Sequence, residues 1–146
     1  MKVYLGADHN GLALKKQLAD YLRRGGYEVV DEGDTKLDPA DDFPVFASRV
    51  VNAMRIDRDD ARGILICGSG QGMCMAANRF KGIRASICWN VQEAHAARND
   101  DDSNVLCLSA RSTTVREAEA IVNTWLTTAF AGAARFRRRI REMDEL

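Results

Sequence analysis

Short apolar runs alternate along the chain with segments whose apolar residues recur every three or four positions. Five runs have the aliphatic and β-branched character of strands, and they lie at residues 3–6, 28–31, 63–66, 85–88 and 105–108. The segments between them have the spacing of helices. This alternation predicts right-handed βαβ crossovers, and hence an α/β fold with a doubly wound, Rossmann-like parallel sheet of five strands and helices on both faces.

The predicted helices fill the gaps between the strands. In the first, Leu14, Leu18 and Leu22 share one face, and a pair of glycines ends the helix. Others follow at residues 44–54, 72–78, 91–98 and 114–126, and the last, an arginine-rich helix, covers about 132–143. The one long polar connection, residues 31–44, is expected to cover the edge of the sheet where the strands end. Residues 1–146 are expected to form a single domain.

Charge and composition exclude several classes of function. The 21 basic and 21 acidic residues cancel, so the chain lacks the excess of positive charge that general nucleic-acid binding requires. The N-terminal residues become polar too soon for a signal peptide, and no apolar run has the length of a membrane span. We therefore expect a cytoplasmic protein with neither a nucleic acid nor a membrane as partner, in which any anion site is local.

The four cysteines show neither a CxxC pair nor the spacing of a zinc site, so reduced thiols are expected. Cys74, Cys88 and Cys107 have the surroundings of small buried apolar residues. Cys67 differs, because it ends a predicted strand and precedes a loop with glycine at every second position. Ligands bind at that end of the strands in open α/β sheets, so Cys67 is a candidate for chemistry.

The loop after Cys67 contains Gly68, Gly70 and Gly72, and it opens into a predicted helix. It is neither a P-loop nor a dinucleotide-binding motif, because it lacks the Lys-Ser/Thr of the first and the spacing of the second. Its backbone N–H groups form an anion hole suited to a developing oxyanion. A thiolate beside such groups has a lowered pKa and can act as a base or a nucleophile.

Two more polar loops are expected to converge on Cys67: Asp8 and His9 follow the first strand, and "NDDDSN" precedes the fifth. A simple turn with Asn10 as helix cap is the alternative for the first loop. In the last helix, Arg135 and Arg139 lie one turn apart, and this crowding of like charges indicates an anionic ligand. The alternative there is an ordinary solvated basic face.

Five segments carry a resemblance to a known family: "GADHNGLALKKQL", "DDFPVFA", "GILICGSGQGMCMAANRFKGIRA", "NVLCLSAR" and "ARFRRRI". In this order and over nearly the whole chain, they resemble the ribose-5-phosphate isomerase B family, which also contains galactose-6-phosphate isomerase subunits and allose-phosphate isomerases. The resemblance implies an aldose–ketose isomerase that acts on a small phosphorylated sugar through a cis-enediol, with ribose 5-phosphate and ribulose 5-phosphate as the leading pair. It also implies a homodimer or tetramer with shared active sites, and neither a metal nor a cofactor.

The resemblance also implies roles for single residues. Cys67 matches the base that moves a proton between neighbouring carbons, and Ser69 matches a position, usually threonine, whose hydroxyl assists proton movement between the two oxygens. Gly68, Gly70 and Gly72 match the anion hole that holds the enediolate. Asp8 and His9 match ligands of the sugar hydroxyls. The phosphate ligands match Arg111, Arg135 and Arg139.

The chain departs from the family pattern at four positions. Asp100 replaces the histidine that opens the sugar ring, Asp101 replaces an asparagine, and Phe43 and Phe136 stand where tyrosine and histidine are common. A carboxyl with the ordinary pKa of about 4 is a poor acid at neutral pH, although crowding of the acidic run would raise it. Two alternatives therefore stay open: an isomerase of a tetrose or hexose phosphate, and a non-catalytic subunit that binds a sugar phosphate.

Overall fold

The apolar runs of the sequence become the strands of one parallel sheet. The computed structural model describes residues 1–57 and 60–146, and within them five strands alternate with six helices. The strands are β1 (Lys2–Ala7), β2 (Glu28–Asp31), β3 (Ala61–Cys67), β4 (Ala85–Ile87) and β5 (Val105–Ser109). The helices are α1 (Leu12–Arg24), α2 (Phe43–Asp57), α3 (Gln71–Ala77), α4 (Val91–Asn99), α5 (Val115–Thr127) and α6 (Ala134–Asp144).

The sheet has the strand order β2-β1-β3-β5-β4, and every adjacent pair is parallel. From β1 the chain winds outward to β2 on one side, and from β3 onward it winds on the other side. The strand order therefore reverses between β1 and β3, which is the position where doubly wound sheets hold their ligands. The predicted fold class is confirmed.

Side chains alternate between two cores because successive residues of a strand point to opposite faces. On one face, Ile64 and Ile66 pack with α1, α4 and α5 around the fully buried Trp125. On the other face, Leu65 and Cys67 pack with α2 and α3. Cys67 thus lies on the α2–α3 side of the sheet, directly above the second core.

Local signals place most helix ends close to the predicted positions. The side chain of Asn90 accepts a hydrogen bond from the N–H of Glu93 at 2.8 Å, and Thr114 and Glu117 form a reciprocal capping box at the start of α5. The last helix contributes one buried apolar side chain, Phe136, and exposes its charged residues. No helix in the described part of the chain is long and apolar enough to cross a membrane.

Candidate active site

Backbone hydrogen bonds join three loops at the carboxyl edge of the sheet. The N–H of Asp8, after β1, donates to the carbonyl of Ile66 at 3.3 Å. After β5, the N–H groups of Ala110 and Arg111 donate to the carbonyls of Cys67 and Gly68 at 2.9 and 3.0 Å. The loops after β1, β3 and β5 are therefore fixed relative to one another around the reversal point of the strand order.

The side chain of Cys67 points into this junction and is 5% exposed. Its Sγ accepts a hydrogen bond from the N–H of Gly70 at 3.1 Å, and the Oγ of Ser69 accepts one from the N–H of Gln71 at 3.3 Å. Among the described residues, the N–H groups of Ser69 and Gly72 have no hydrogen-bond partner. The loop therefore presents a thiol, a hydroxyl and free amide donors in one place.

Glycine is required in this loop for steric reasons. Gly70 precedes α3 with a φ of 77°, in the left-handed region, and a Cβ on it would lie 3.1 Å from the carbonyl oxygen of Leu108. A Cβ on Gly72 would lie 2.7 Å from the ring of Phe43, so this aromatic ring, partly exposed, forms a wall over the loop. The alternating glycines let backbone and ring approach each other closely.

Arg111 is the arginine that the structure brings to the Cys67 loop. Its Nη2 lies 3.1 Å, and the Nδ2 of Asn10 lies 3.5 Å, from the position that a Cβ on Gly68 would occupy. Both groups border the loop from the side of β1 and β5. Arg111 therefore lies beside the Cys67 loop of its own chain.

Asp8 holds the first loop in shape. It is 6% exposed, and its Oδ1 accepts hydrogen bonds from the N–H groups of Asn10 at 3.0 Å and Gly11 at 3.2 Å. The alternative with Asn10 as helix cap is wrong, because Gly11 occupies the cap position and Asp8 supplies the acceptor. Asp8 therefore acts at least as an organiser of the loop that carries His9.

His9 is held by a residue of the long polar loop. The Oδ1 of Asp41 lies 2.6 Å from the Nδ1 of His9 and accepts a hydrogen bond from its backbone N–H at 3.1 Å. The hydrogen bond to Asp41 raises the pKa of His9 above its usual value of 6.5. The prediction that this loop covers the edge of the sheet is confirmed, but sequence reasoning did not single out Asp41, since "DDFP" indicates only the start of a helix.

Asp8, His9 and Asp41 place donor atoms within 4.8 Å of one another, a spacing that a metal ion can bridge. These atoms already bond to one another or to the backbone: His9 bonds to Asp41, and Asp8 accepts two backbone N–H groups. The hydrogen bonds account for the cluster, so we assign none of the three as a metal ligand.

The loop that contains Asp100 and Asp101 lies at the opposite edge of the sheet. The Nε of Arg84, at the start of β4, donates to the carbonyl of Asp101 at 3.1 Å. In the parallel pairing of β3 with β5, Cys67 is level with Ser109 and Gly63 with Val105. The level of Cys67 and the level of Val105, where β5 begins, are therefore four strand residues apart, roughly 13 Å. The predicted convergence of "NDDDSN" on Cys67 is wrong within one chain, because a loop that precedes a parallel strand lies at its amino end.

The basic helix α6 lies on the side of this second loop. The carbonyl of Asn99 accepts a hydrogen bond from the N–H of Ala131 at 3.1 Å, in the segment before α6. Burial and then the charge of Asp100 raise the pKa of Asp101, and the charge of Arg139 on α6 opposes them with a smaller effect. The predicted residues thus form two groups at opposite edges, and the second contains Asp100, Asp101, Arg135 and Arg139.

Fold and site together define a doubly wound α/β protein with a candidate site for a small ligand at the carboxyl edge of its sheet, beside a cysteine and a loop of amide donors. Comparison with known proteins names the group more narrowly. A family model described as ribose/galactose isomerase matches residues 3–143, and the chain belongs to this family. Its class of activity is therefore that of a sugar-phosphate aldose–ketose isomerase.

Two curated relatives and one solved structure illustrate the similarity. The chain is 42% identical over 136 residues to a probable ribose-5-phosphate isomerase B of Mycoplasma genitalium, covering 93% of this chain and 90% of that protein. It is 40% identical over 141 residues to ribose-5-phosphate isomerase B of Mycobacterium tuberculosis, covering 96% and 86%. The crystal structure of the Mycoplasma genitalium enzyme with bound ribulose-5-phosphate matches with a TM-score of 0.94 at 40% identity, covering 99% of this chain and 94% of that one.

Proposed function

We propose that this chain, as one isomerase domain over residues 1–146, interconverts ribose 5-phosphate and ribulose 5-phosphate with Cys67 as the catalytic base. The observation that carries the proposal is the position of Cys67, whose Sγ lies at the reversal point of the strand order beside the amide donors of its own loop. The ribulose-5-phosphate bound to a relative of 40% identity supports the choice of substrate.

The proposed mechanism moves one proton between neighbouring carbons. The Sγ of Cys67 takes the proton from the carbon next to the carbonyl, which leaves a cis-enediolate. The free N–H groups of Ser69 and Gly72 stabilise its negative charge, because donors fixed in advance stabilise an oxyanion better than water does. The Oγ of Ser69 passes a proton between the two oxygens, and Cys67 returns its proton to the neighbouring carbon. No group is gained or lost, so the product is an isomer.

Exchange of the substrate proton with solvent tests this chemistry without presuming the product. In deuterated water, the wild-type protein is expected to introduce deuterium at the reacting carbons of ribose 5-phosphate, detected by NMR. The variant Cys67→Ala is expected to lose this exchange and turnover by at least about 100-fold while it still binds the sugar phosphate. Exchange at the wild-type rate in this variant would contradict the role of Cys67.

A tetrose phosphate is the second candidate substrate, and the observation that favours it is Asp100 in place of a ring-opening histidine. A four-carbon sugar phosphate cannot close the same furanose ring, so it needs no acid to open one. The same exchange assay with tetrose, pentose and hexose phosphates distinguishes the candidates. A clear preference for the pentose would reject the tetrose proposal.

We further propose that the active sites are shared between chains of a homodimer or tetramer. The second group of residues, at the edge of the sheet opposite Cys67, can contribute to a site only across an interface. It consists of Asp100, Asp101, Arg135 and Arg139.

The four free cysteines fit the reducing environment of the cytoplasm, which we propose as the location.

A further inference from the structure

His9 and Asp41 form a pair in which the carboxyl is buried and the imidazole is partly exposed. The carboxyl of Asp41 is 5% exposed, whereas the imidazole of His9 is 29% exposed. Asp41 uses one oxygen, Oδ1, to hold both the ring at 2.6 Å and the backbone N–H of His9 at 3.1 Å. Two bonds to one residue fix the position and the plane of the ring, and they turn Nε2 away from Asp41.

Among the described residues, the charge of Asp41 is compensated by one partner, His9. Its other oxygen, Oδ2, is buried and makes no hydrogen bond within residues 1–57 and 60–146. A carboxylate without water needs a cation or a proton, since leaving it uncompensated costs several kcal/mol. At 2.6 Å from Nδ1, the contact has the length of a charge-assisted hydrogen bond. The shared proton is therefore best placed on the imidazole, which makes His9 a cation.

Other charged groups around His9 act on this balance in both directions. Asp8 in its own loop and Asp38 in the loop of Asp41 both favour the imidazolium, with smaller effects than Asp41. Arg111, whose guanidinium borders Gly68 as the amide of Asn10 does, carries a positive charge, and a like charge disfavours a second cation nearby. Partial burial of the ring also opposes it, and the hydrogen bond to Asp41 is the largest contribution.

The second ring nitrogen of His9, Nε2, lies on the side of the Cys67 loop. Nε2 lies 3.1 Å from the amide of Asn10, and that amide borders Gly68 together with the guanidinium of Arg111. A protonated Nε2 cannot accept from this amide, so a ligand oxygen that displaces the contact with Asn10 can accept the Nε2–H instead. His9 and Arg111 then present two cationic donors beside the Cys67 loop of one chain.

We propose that Asp41 is a positioning residue of the isomerase site: it fixes the imidazole of His9 and keeps it protonated, so that Nε2–H donates to an anionic oxygen of the bound sugar phosphate. This inference rests on the proposed function for the identity of the ligand. It adds a residue that neither the motifs nor the fold indicate, and it gives a single chain a second positive charge at the site beside Arg111.

NMR titration of the histidine ring protons tests the pairing directly. The chain has two histidines, so His95→Gln assigns the resonances of His9. In Asp41→Asn, which keeps the shape of the side chain and removes its charge, the pKa of His9 is expected to fall toward its usual value. Asp41→Glu is expected to restore much of the raised pKa. The matched control is Asp38→Asn, on the same loop, whose amide oxygen can still accept the N–H of Ala40, and it is expected to change little.

Kinetics test the consequence for the substrate. At neutral pH, Asp41→Asn is expected to raise KM for the sugar phosphate by about 10-fold or more, as for a lost charged hydrogen bond, with a much smaller change in kcat. Its KM is expected to become pH-dependent as His9 loses its proton. The anionic oxygen that His9 contacts belongs either to the phosphoryl group or to the enediolate, and inorganic phosphate distinguishes the two. A shift of the wild-type His9 resonance on addition of phosphate indicates the phosphoryl group, and no shift indicates the enediolate.

Two results would overturn the proposal. An unchanged pKa of His9 in Asp41→Asn would show that Asp41 does not keep the ring protonated. An equal loss in Asp41→Asn and Asp41→Glu, with no change in the pH profile, would show that Asp41 only supports the loop. The NMR titration does not use turnover, so it remains informative even if the isomerase activity itself is not found.

Discussion

At the scale of single residues, the site consists of polar groups that the backbone orients before a ligand arrives. Asp8 and Cys67 each accept a hydrogen bond from an N–H three residues further along the chain, and Asp41 accepts one from the N–H of His9. All three side chains are nearly buried. A buried acceptor with a backbone donor has little freedom to move, which is the condition for electrostatic stabilisation of a reaction.

The remaining cysteines differ in their surroundings, and this difference predicts their reactivity. Burial raises the pKa of Cys88 to about 12 and that of the fully buried Cys107 well above its usual range, as expected for small apolar residues. Cys74 is half-buried, and hydrogen bonds from the Cys107 thiol and the Ile87 backbone lower its pKa to about 7.

We therefore expect iodoacetamide to alkylate Cys74 at neutral pH much faster than Cys88. The rate at Cys74 is expected to rise as the pH passes through about 7 and then to level off, because the thiolate is the reactive form. Mass spectrometry of peptides after short labelling measures both sites, and Cys88 serves as the internal control. Equal labelling of the two cysteines at pH 7 would contradict the prediction.

At the scale of elements, Gly70, which precedes α3, has a left-handed backbone conformation and lies close to the backbone of β5. A side chain at Gly70 meets both the left-handed φ of 77° and the Leu108 carbonyl at 3.1 Å. Gly26 has a similar φ of 83° but open space around its Cβ position. The comparison of these two positions separates the backbone strain from the steric clash.

Gly26→Ala is expected to lower the free energy of unfolding by about 1 kcal/mol, the cost of a left-handed residue with a side chain. Gly70→Ala is expected to lower it by a further 1–3 kcal/mol or so, as in an overpacked core, and to reduce isomerase activity because the amide donors shift. Urea unfolding followed by circular dichroism measures both variants. Equal losses would show that the contact with Leu108 relaxes without cost.

The elements were predictable from sequence because their signals are local. Apolar periodicity and caps such as Thr114 give the order and type of every strand and helix, with the β3 strand starting two residues before its predicted first residue, Gly63. The motif around Cys67 located the first half of the site. The partner of His9 was not predictable, because Asp41 reaches it across 32 positions of sequence from a loop without regular pattern.

At the scale of the whole molecule, the parallel sheet places the loop after β3 and the loop before β5 far apart. A loop that follows a strand and a loop that precedes one lie at opposite edges, so Cys67 and Asp100 cannot meet within one sheet. The helix α6 lies beside the second edge and exposes its arginines, Arg135 and Arg139. A neutral chain that binds a phosphate needs focused positive charge, and in the shared site that we propose these two arginines add to Arg111 by acting on a neighbouring copy.

Substitution of single arginines of α6 is the first test of this arrangement. Arg139→Ala is expected to raise KM for the sugar phosphate by about 10- to 100-fold, the effect of a lost charged hydrogen bond. Arg138→Ala is the matched control, because Arg138 is largely exposed and pairs only with Glu142 on its own helix among the described residues. Its KM is expected to stay close to that of the wild type.

In a dimer with shared sites, one chain supplies Cys67 and the other supplies Arg139. A mixed dimer of Cys67→Ala with Arg139→Ala then has one site that carries both defects and one site that is intact. After joint refolding of equal amounts, about a quarter of the wild-type activity is expected at a substrate concentration below KM, since half of the dimers are mixed. The control mixes Cys67→Ala with the double variant Cys67→Ala, Arg139→Ala, from which no intact site can form. Recovery no greater than the summed activity of the two variants refolded separately, with mixed dimers detected by native mass spectrometry, would show that Arg139 does not complete the site of its partner.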